Sequence, residues 1–180
     1  VFMSCNGSNP DKNNMDSTSV TTVSSVGDTA KMVATSTLDD MSSKFVTDAA
    51  EGGMMEVDLG NAAIKIAMAQ SVKDFGKMMV DDHTLLNNSL KDIAMKKNVQ
   101  VPAAITSGQQ SEMDDLTKKT GKDFDKAYVN MMVDDHKKDI DDFTKASENL
   151  TDPELKTFAT NALPVLKKHL QAIEAIQRKM

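Results

Sequence analysis

The chain has no tryptophan, one tyrosine and one cysteine. A single cysteine excludes an internal disulfide, so the fold must be held by packing. Aromatic residues make up only 4 % of the sequence, and methionine is abundant at 14 residues. Scarce aromatics and few β-branched runs, beside many Ala, Met, Leu and Lys, disfavour sheet and favour helix. No stretch approaches the ~18 apolar residues of a membrane-spanning helix. Basic residues are in deficit, 21 Lys and Arg against 27 Asp and Glu, for a formal net charge of −6. That excludes nucleic acid as a general partner, because phosphate binding requires a basic footprint. There is no Gly-rich phosphate loop, no serine nucleophile elbow, and no cysteine beyond Cys5. The chain thus offers no catalytic motif, and reads as a binding or interaction protein rather than an enzyme.

What is present begins with Val1-Phe2-Met3-Ser4-Cys5-Asn6-Gly7. An apolar run ending in a small residue and then Cys resembles the processing site of a bacterial lipoprotein, with Phe2 in place of the usual Leu. The expectation is a lipid anchor on Cys5, a membrane as partner, and a place in the cell envelope. Residues up to 41 are a polar Asn/Ser/Thr/Asp stretch that buries too little apolar surface to fold alone, and read as a flexible tether. Residues 42–180 form the domain.

In that domain the apolar spacing is helical. A first helix is expected over 44–68, with the stripe Ala49, Gly53, Glu56, Gly60, Ala63 and Ala67. Its glycines let a neighbouring helix come close. Ser71 is placed as the cap of a second helix reaching Lys97, with Val72, Phe75, Met79, His83, Leu86, Leu90 and Ile93 on one face. Residues 98–121 break the rhythm: Pro102 can only begin a new element, and a short amphipathic piece lies around 111–119. A third long helix is expected over 123–149, with Phe124, Tyr128, Met132, His136, Ile140 and Phe143 inward. Thr151-Asp152-Pro153-Glu154 is a start signal for the fourth. That helix carries Leu155, Phe158, Ala162, Leu166, His169, Ile173 and Ile176, with Pro164 predicting a kink. Two hairpins joined by one long crossover make an all-α, ferritin-like four-helix bundle; a simple up-down-up-down bundle with a decorated loop is the alternative.

The hexapeptide Met-Met-Val-Asp-Asp-His occurs twice, at 78–83 and at 131–136. It points to two similar hairpins related by an old duplication. All three histidines, His83, His136 and His169, lie on the apolar stripes of three different helices, and Glu56 lies on the stripe of the remaining one. With a first turn centred near residue 70, Glu56 and His83 fall at one height. Around a second turn near Thr151, His136 and His169 miss each other by ~4–5 Å at 1.5 Å per residue. Three imidazoles and one carboxylate converging in a bundle suit one Zn, Fe, Cu or Mn ion. Asp82, Asp135, Met79 and Met132 are the flanking residues expected around that site. The alternative is a metal-free Glu–His network that fixes the bundle of a non-enzymatic envelope interaction or stress module, because such a cluster can satisfy itself.

Two variants of the metal reading separate at this level. A two-iron oxygen-activating centre requires Glu-x-x-His, but Val80, Val133 and Leu166 stand three residues before the histidines. Thioethers at Met79 and Met132 with imidazole would suit copper, whereas Met also fills irregular cores where aromatics are few. Lys96-Lys97, Lys137-Lys138 and Lys167-Lys168 read as solvated faces, and so do Asp114-Asp115 and Asp141-Asp142.

The segment Phe45-Val46-x-x-Ala49-Ala50-Glu51-Gly52-Gly53-Met54-Met55-Glu56-Val57-x-Leu59-Gly60, the two Met-Val-x-Asp-His segments, and Leu163-Pro164-x-Leu166-x-x-His169 resemble a bacterial exported domain of unknown function, number four-one-four-two. Its members are often labelled outer membrane proteins. The resemblance covers about residues 44–178. It implies a ferritin-like bundle and export, with Glu56, His83, His136 and His169 at characteristic positions, and it implies no settled activity.

Overall fold

The computed structural model describes residues 38–180. Cys5 and the expected tether lie outside the described residues, apart from its last few positions, of which Asp40 and Met41 already belong to helix. Among the described residues there are five helices and no strand: α1 (Asp40–Ile66), α2 (Gln70–Lys96), α3 (Ser107–Thr117), α4 (Gly121–Asn149) and α5 (Pro153–Gln177). None of them is long and apolar enough to cross a membrane.

α1 and α2 form one antiparallel hairpin and α4 and α5 the other; α2 also packs on α5, and α1 on α4. The link from α2 to α4 runs the length of the bundle. The start of α4 lies beside the α1–α2 turn, where Asp125 binds Met68 and Ala69. The far end of α2 lies beside the start of α5, where Lys97 binds Asp152 and Glu154, each at 2.7 Å. α2 and α4 therefore run parallel on opposite corners, which is the ferritin-like arrangement and excludes the simple up-down-up-down bundle. Lys97 is thus a strut between two helices rather than part of a solvated face.

That topology corrects the duplication. Duplicated hairpins would place a repeat on α1 and α4, or on α2 and α5. The repeated hexapeptide instead sits on the parallel diagonal pair, α2 and α4.

Local chemistry sets the ends. Asp39 caps α1, and Asp152 caps α5 ahead of Pro153. Asn98 takes a left-handed conformation (φ 54°) to end α2, with Val99 N–H bonded to the Ala94 carbonyl. The short helix starts at a Thr106–Gln109 capping box, later than Pro102 and earlier than 111. Ser71 caps nothing. The N-cap of α2 is Ala69, which has no side-chain acceptor, and the Asp125 carboxylate arrives from α4 instead, accepting from Met68 N–H at 2.9 Å and Ala69 N–H at 2.8 Å. α5 continues as helix on both sides of Pro164.

α1 and α2 cross where glycine meets glycine. A Cβ on Gly60 would stand 2.7 Å from the Gly76 carbonyl oxygen, and a Cβ on Gly76 would stand 2.7 Å from that of Gly60. Only residues without a side chain permit this approach. The apolar core falls into two clusters. One holds Leu59, Met79, Phe124, Tyr128, Met132 and Ile173. The other holds Val46, Leu90, Ala146, Leu150, Leu155 and Phe158. Glu56 and the three histidines belong to neither, and sit between them as a buried polar layer.

Candidate metal centre

Each of the four central residues comes from a different long helix, and all are buried: Glu56 is 5 % exposed, His83 3 %, His136 and His169 0 %. Glu56 Oε2 lies 2.8 Å from His83 Nδ1, and its Oε1 lies 3.7 Å from His136 Nε2. His136 Nε2 lies 3.3 Å from His169 Nδ1. One ring nitrogen from each histidine lies within 4.8 Å of the others. The height mismatch expected between His136 and His169 is therefore absent. In both hairpins the residue on the second helix lies three residues farther from the turn than its partner, once the first turn is centred on Met68. Side chains tilt toward the N-terminus of their own helix. In an antiparallel pair this carries Glu56 and His136 away from the turn, and His83 and His169 toward it, which closes the offset.

The hydrogen bonds assign the tautomers. His136 Nδ1–H donates to the Met132 carbonyl, one turn earlier, at 2.8 Å. His169 Nε2–H donates to Asp82 Oδ2 at 2.9 Å. Burial, with the neighbouring His169 and His83, pushes His136 down to about 3. Burial also lowers His169, against the hydrogen bond that it donates to Asp82. Both rings are neutral at neutral pH, and each has its one proton committed outward. The two nitrogens that face each other across 3.3 Å are then both bare lone pairs.

The third ring adds to this. Burial pushes His83 down to about 4, and burial followed by the charge of Asp135 raises Glu56 well above the usual carboxylate range. Both shifts favour the uncharged forms, and a proton lies between Oε2 and Nδ1, 2.8 Å apart. His83 Nε2 and Glu56 Oε1 are buried with no hydrogen-bond partner. Buried polar atoms are rarely left so, and each one requires a cause. Metal-bound imidazoles almost always donate their other N–H to a carboxylate or a backbone carbonyl, and all three rings have such an acceptor. The donor set fits a transition-metal ion in kind. Tetrahedral bonds of about 2.1 Å put ligand atoms about 3.4 Å apart, so the histidine nitrogens, within 4.8 Å of one another, must close by up to about 1.4 Å, and Glu56, which stands outside that three-histidine group, must swing in to join them.

The flanking residues divide. Asp82 orients His169 and also receives Lys168 Nζ at 3.3 Å. Burial raises its carboxyl, but the hydrogen bonds from His169 and Lys168 outweigh this and bring it below its ordinary value. Asp135, its counterpart in the repeat, faces Glu56 electrostatically. Burial and the charges of Asp139, Glu112 and Asp134 push it up to about 7. Met132 contributes its carbonyl oxygen, while its side chain and that of Met79 are fully buried in the apolar core.

Asp139 escaped the sequence reading. It lines the same cavity as Glu56, and burial, then the Glu56 charge, push it up to about 8. The available signal was its place three residues after His136, on the same helical face, but the acidic run that follows it disguised it as surface.

The fold is similar to that in "Crystal structure of DUF305 fragment from Deinococcus radiodurans", with a TM-score of 0.70 and 9 % identity, covering 79 % of this chain and 99 % of that one. At that identity the likeness speaks for the fold alone. No curated protein matches the chain. A family match spans residues 27–176, starting upstream of residue 44, where the resemblance was placed. The chain belongs to the family described as Domain of unknown function (DUF4142).

Proposed function

We propose that this protein binds one transition-metal ion at the centre of the bundle, with His83 Nε2, His136 Nε2, His169 Nδ1 and Glu56 as ligands. The observation that carries the reading is the pair of bare lone pairs, His136 Nε2 and His169 Nδ1, facing each other at 3.3 Å. Two acceptors at that distance repel unless a cation or an extra proton lies between them, and burial disfavours the extra proton. An ion would also engage the unpartnered His83 Nε2 and Glu56 Oε1. A metal-free polar layer accounts for the Asp82–His169 and Glu56–His83 bonds, but it leaves those atoms idle. Three imidazoles with one carboxylate suit Zn²⁺, Fe²⁺, Cu²⁺ or Mn²⁺.

The role that fits is holding or sensing a metal, or protecting against one, in the cell envelope. The Cys5 motif supports the location. Acyl chains on Cys5, found by mass spectrometry of the mature protein, would support the anchor, and an unmodified Cys5 removes it. For the site, the test is elemental analysis of protein purified without chelator or affinity-tag metal. The expected result is close to one ion per chain, lost in His83→Ala and in His136→Ala. Traces of metal that those substitutions leave unchanged would sink the reading.

A further inference from the structure

The centre adjoins a cavity of 30 Å³, whose lining includes Gly52, Gly53, Glu56, His83, Asn87 and Asp139. That is room for a water molecule or a small ion. A larger, open groove of 570 Å³ lies along the α1–α4 seam. The two share Asp48, Ala49, Asp139 and Phe143 as wall. The buried chamber and the surface groove are thus separated by a single layer of side chains.

The charges on that wall differ in availability. Three lysines line the groove and would repel a cation, but each is paired: Lys44 with Asp48 at 2.7 Å, Lys138 with Asp142 at 2.8 Å, and Lys145 with Asp141 and Asp142. Among the described residues no lysine ion pair holds Asp139, which lines both spaces. Gly52, one helical turn beyond Asp48 and Ala49, lines only the smaller cavity. Nothing stands within 4 Å of where a Cβ on Gly52 would lie. The opposite seam, between α1 and α2, is shut, because a Cβ on Gly53 would run into the Asn87 amide.

We infer that Asp139 and Gly52 form the inlet by which a divalent transition-metal cation passes from the α1–α4 groove to Glu56 and His83. Asp139 acts as a positioning residue: its carboxyl oxygen replaces one of the cation's water ligands in transit, giving its proton to water as the ion arrives, and hands the ion to Glu56. Gly52 keeps the passage clear by having no side chain. The inference rests on the metal-binding reading above, and its test is chosen to fail separately.

Metal-free full-length protein is mixed with Co²⁺ in a stopped-flow instrument, where ligand-field absorption reports loading; an equilibrium titration gives the affinity. Gly52→Leu should slow loading by about tenfold and leave Kd within about twofold, because a plugged passage slows entry and exit alike. Gly52→Ala should fall between, and covers the case in which the larger side chain disturbs the helix. Asp139→Asn should slow loading as well, with Asp139→Glu restoring much of it. Should the unaltered chain take up no Co²⁺, the metal reading falls and the inlet with it. Should it take up Co²⁺ while Gly52→Leu and Gly52→Ala load at the unaltered rate, the inlet alone falls.

Discussion

Asp82 and His169 lie 87 residues apart in sequence, and their 2.9 Å hydrogen bond decides which nitrogen of the ring faces the centre. The carboxylate only accepts, so it keeps the proton on Nε2 and leaves Nδ1 bare. An Asn at position 82 can present an N–H instead, which favours the other tautomer and occupies the inward nitrogen. Asp82→Asn should therefore weaken metal binding by about 10–100-fold without changing the saturated stoichiometry. Calorimetric titration with Zn²⁺ measures both. Unchanged affinity would remove His169 from the ligand set.

The metal-free protein should lose stability between pH 6.5 and 8. His83 and His136 have folded values of about 4 and about 3 against 6.5 unfolded. Their contribution is complete above 6.5 and is lost as pH falls through 4 to 3. Asp135 and Asp139 run the other way, with folded values of about 7 and about 8 against 3.8. The native state holds their protons longer, so their contribution is complete below 3.8 and is lost as pH rises through 7 and 8. The raised Glu56 acts in the same direction. The two sets oppose each other from about pH 4 to 6.5, and above that the carboxyls act alone. Urea midpoints at pH 6, 7 and 8 in the presence of chelator should fall steadily, and Asp139→Asn should flatten the fall. A midpoint that rises over this range counts against the buried acidic group.

Asp125→Ala strips the α1–α2 turn of its cap. Two backbone N–H groups lose their acceptor at a site where Asp125 itself is 3 % exposed. Each unsatisfied buried donor costs about 1–3 kcal/mol, less where water can reach it, so thermal unfolding should move down by several degrees. Asp125→Asn keeps one acceptor oxygen and should cost about half as much. A transition within a degree of the unaltered protein would show that water replaces the carboxylate.

Met79→Leu and Met132→Leu should leave metal affinity within about twofold, because these swaps keep core volume and the Met132 contact to His136 is made by its backbone carbonyl. Loss of Cu⁺ binding in Met132→Leu, with the fold intact by circular dichroism, would instead place a thioether among the ligands.

The helices were legible because their residues repeat at the spacing of one buried face: Glu56, His83, His136 and His169 each stand on such a stripe, and burial of the stripe is what the pattern encodes. Asp152-Pro153 was legible for a related reason, since cap and helix are neighbours in the chain. Asp125 was not. It caps a turn 56 residues away, so the local sequence at Ser71 pointed to a nearer and wrong cap. Asp135 and Asp82 are identical in the repeat, yet one faces Glu56 and the other His169, because α1 packs on α4 and α5 packs on α2.

By itself, the sequence determined an all-α chain, the length and inward face of each long helix, and the four residues that share its core. Those follow from short-range periodicity and from the scarcity of anything that could build sheet or disulfides. The tertiary structure alone decided that α2 and α4 run parallel, that His136 and His169 meet with bare nitrogens inward, and that Asp139 stands at the wall of the centre. Tautomers and access depend on which atoms lie within about 3 Å of one another across separate helices, and that distance is fixed only when the helices pack.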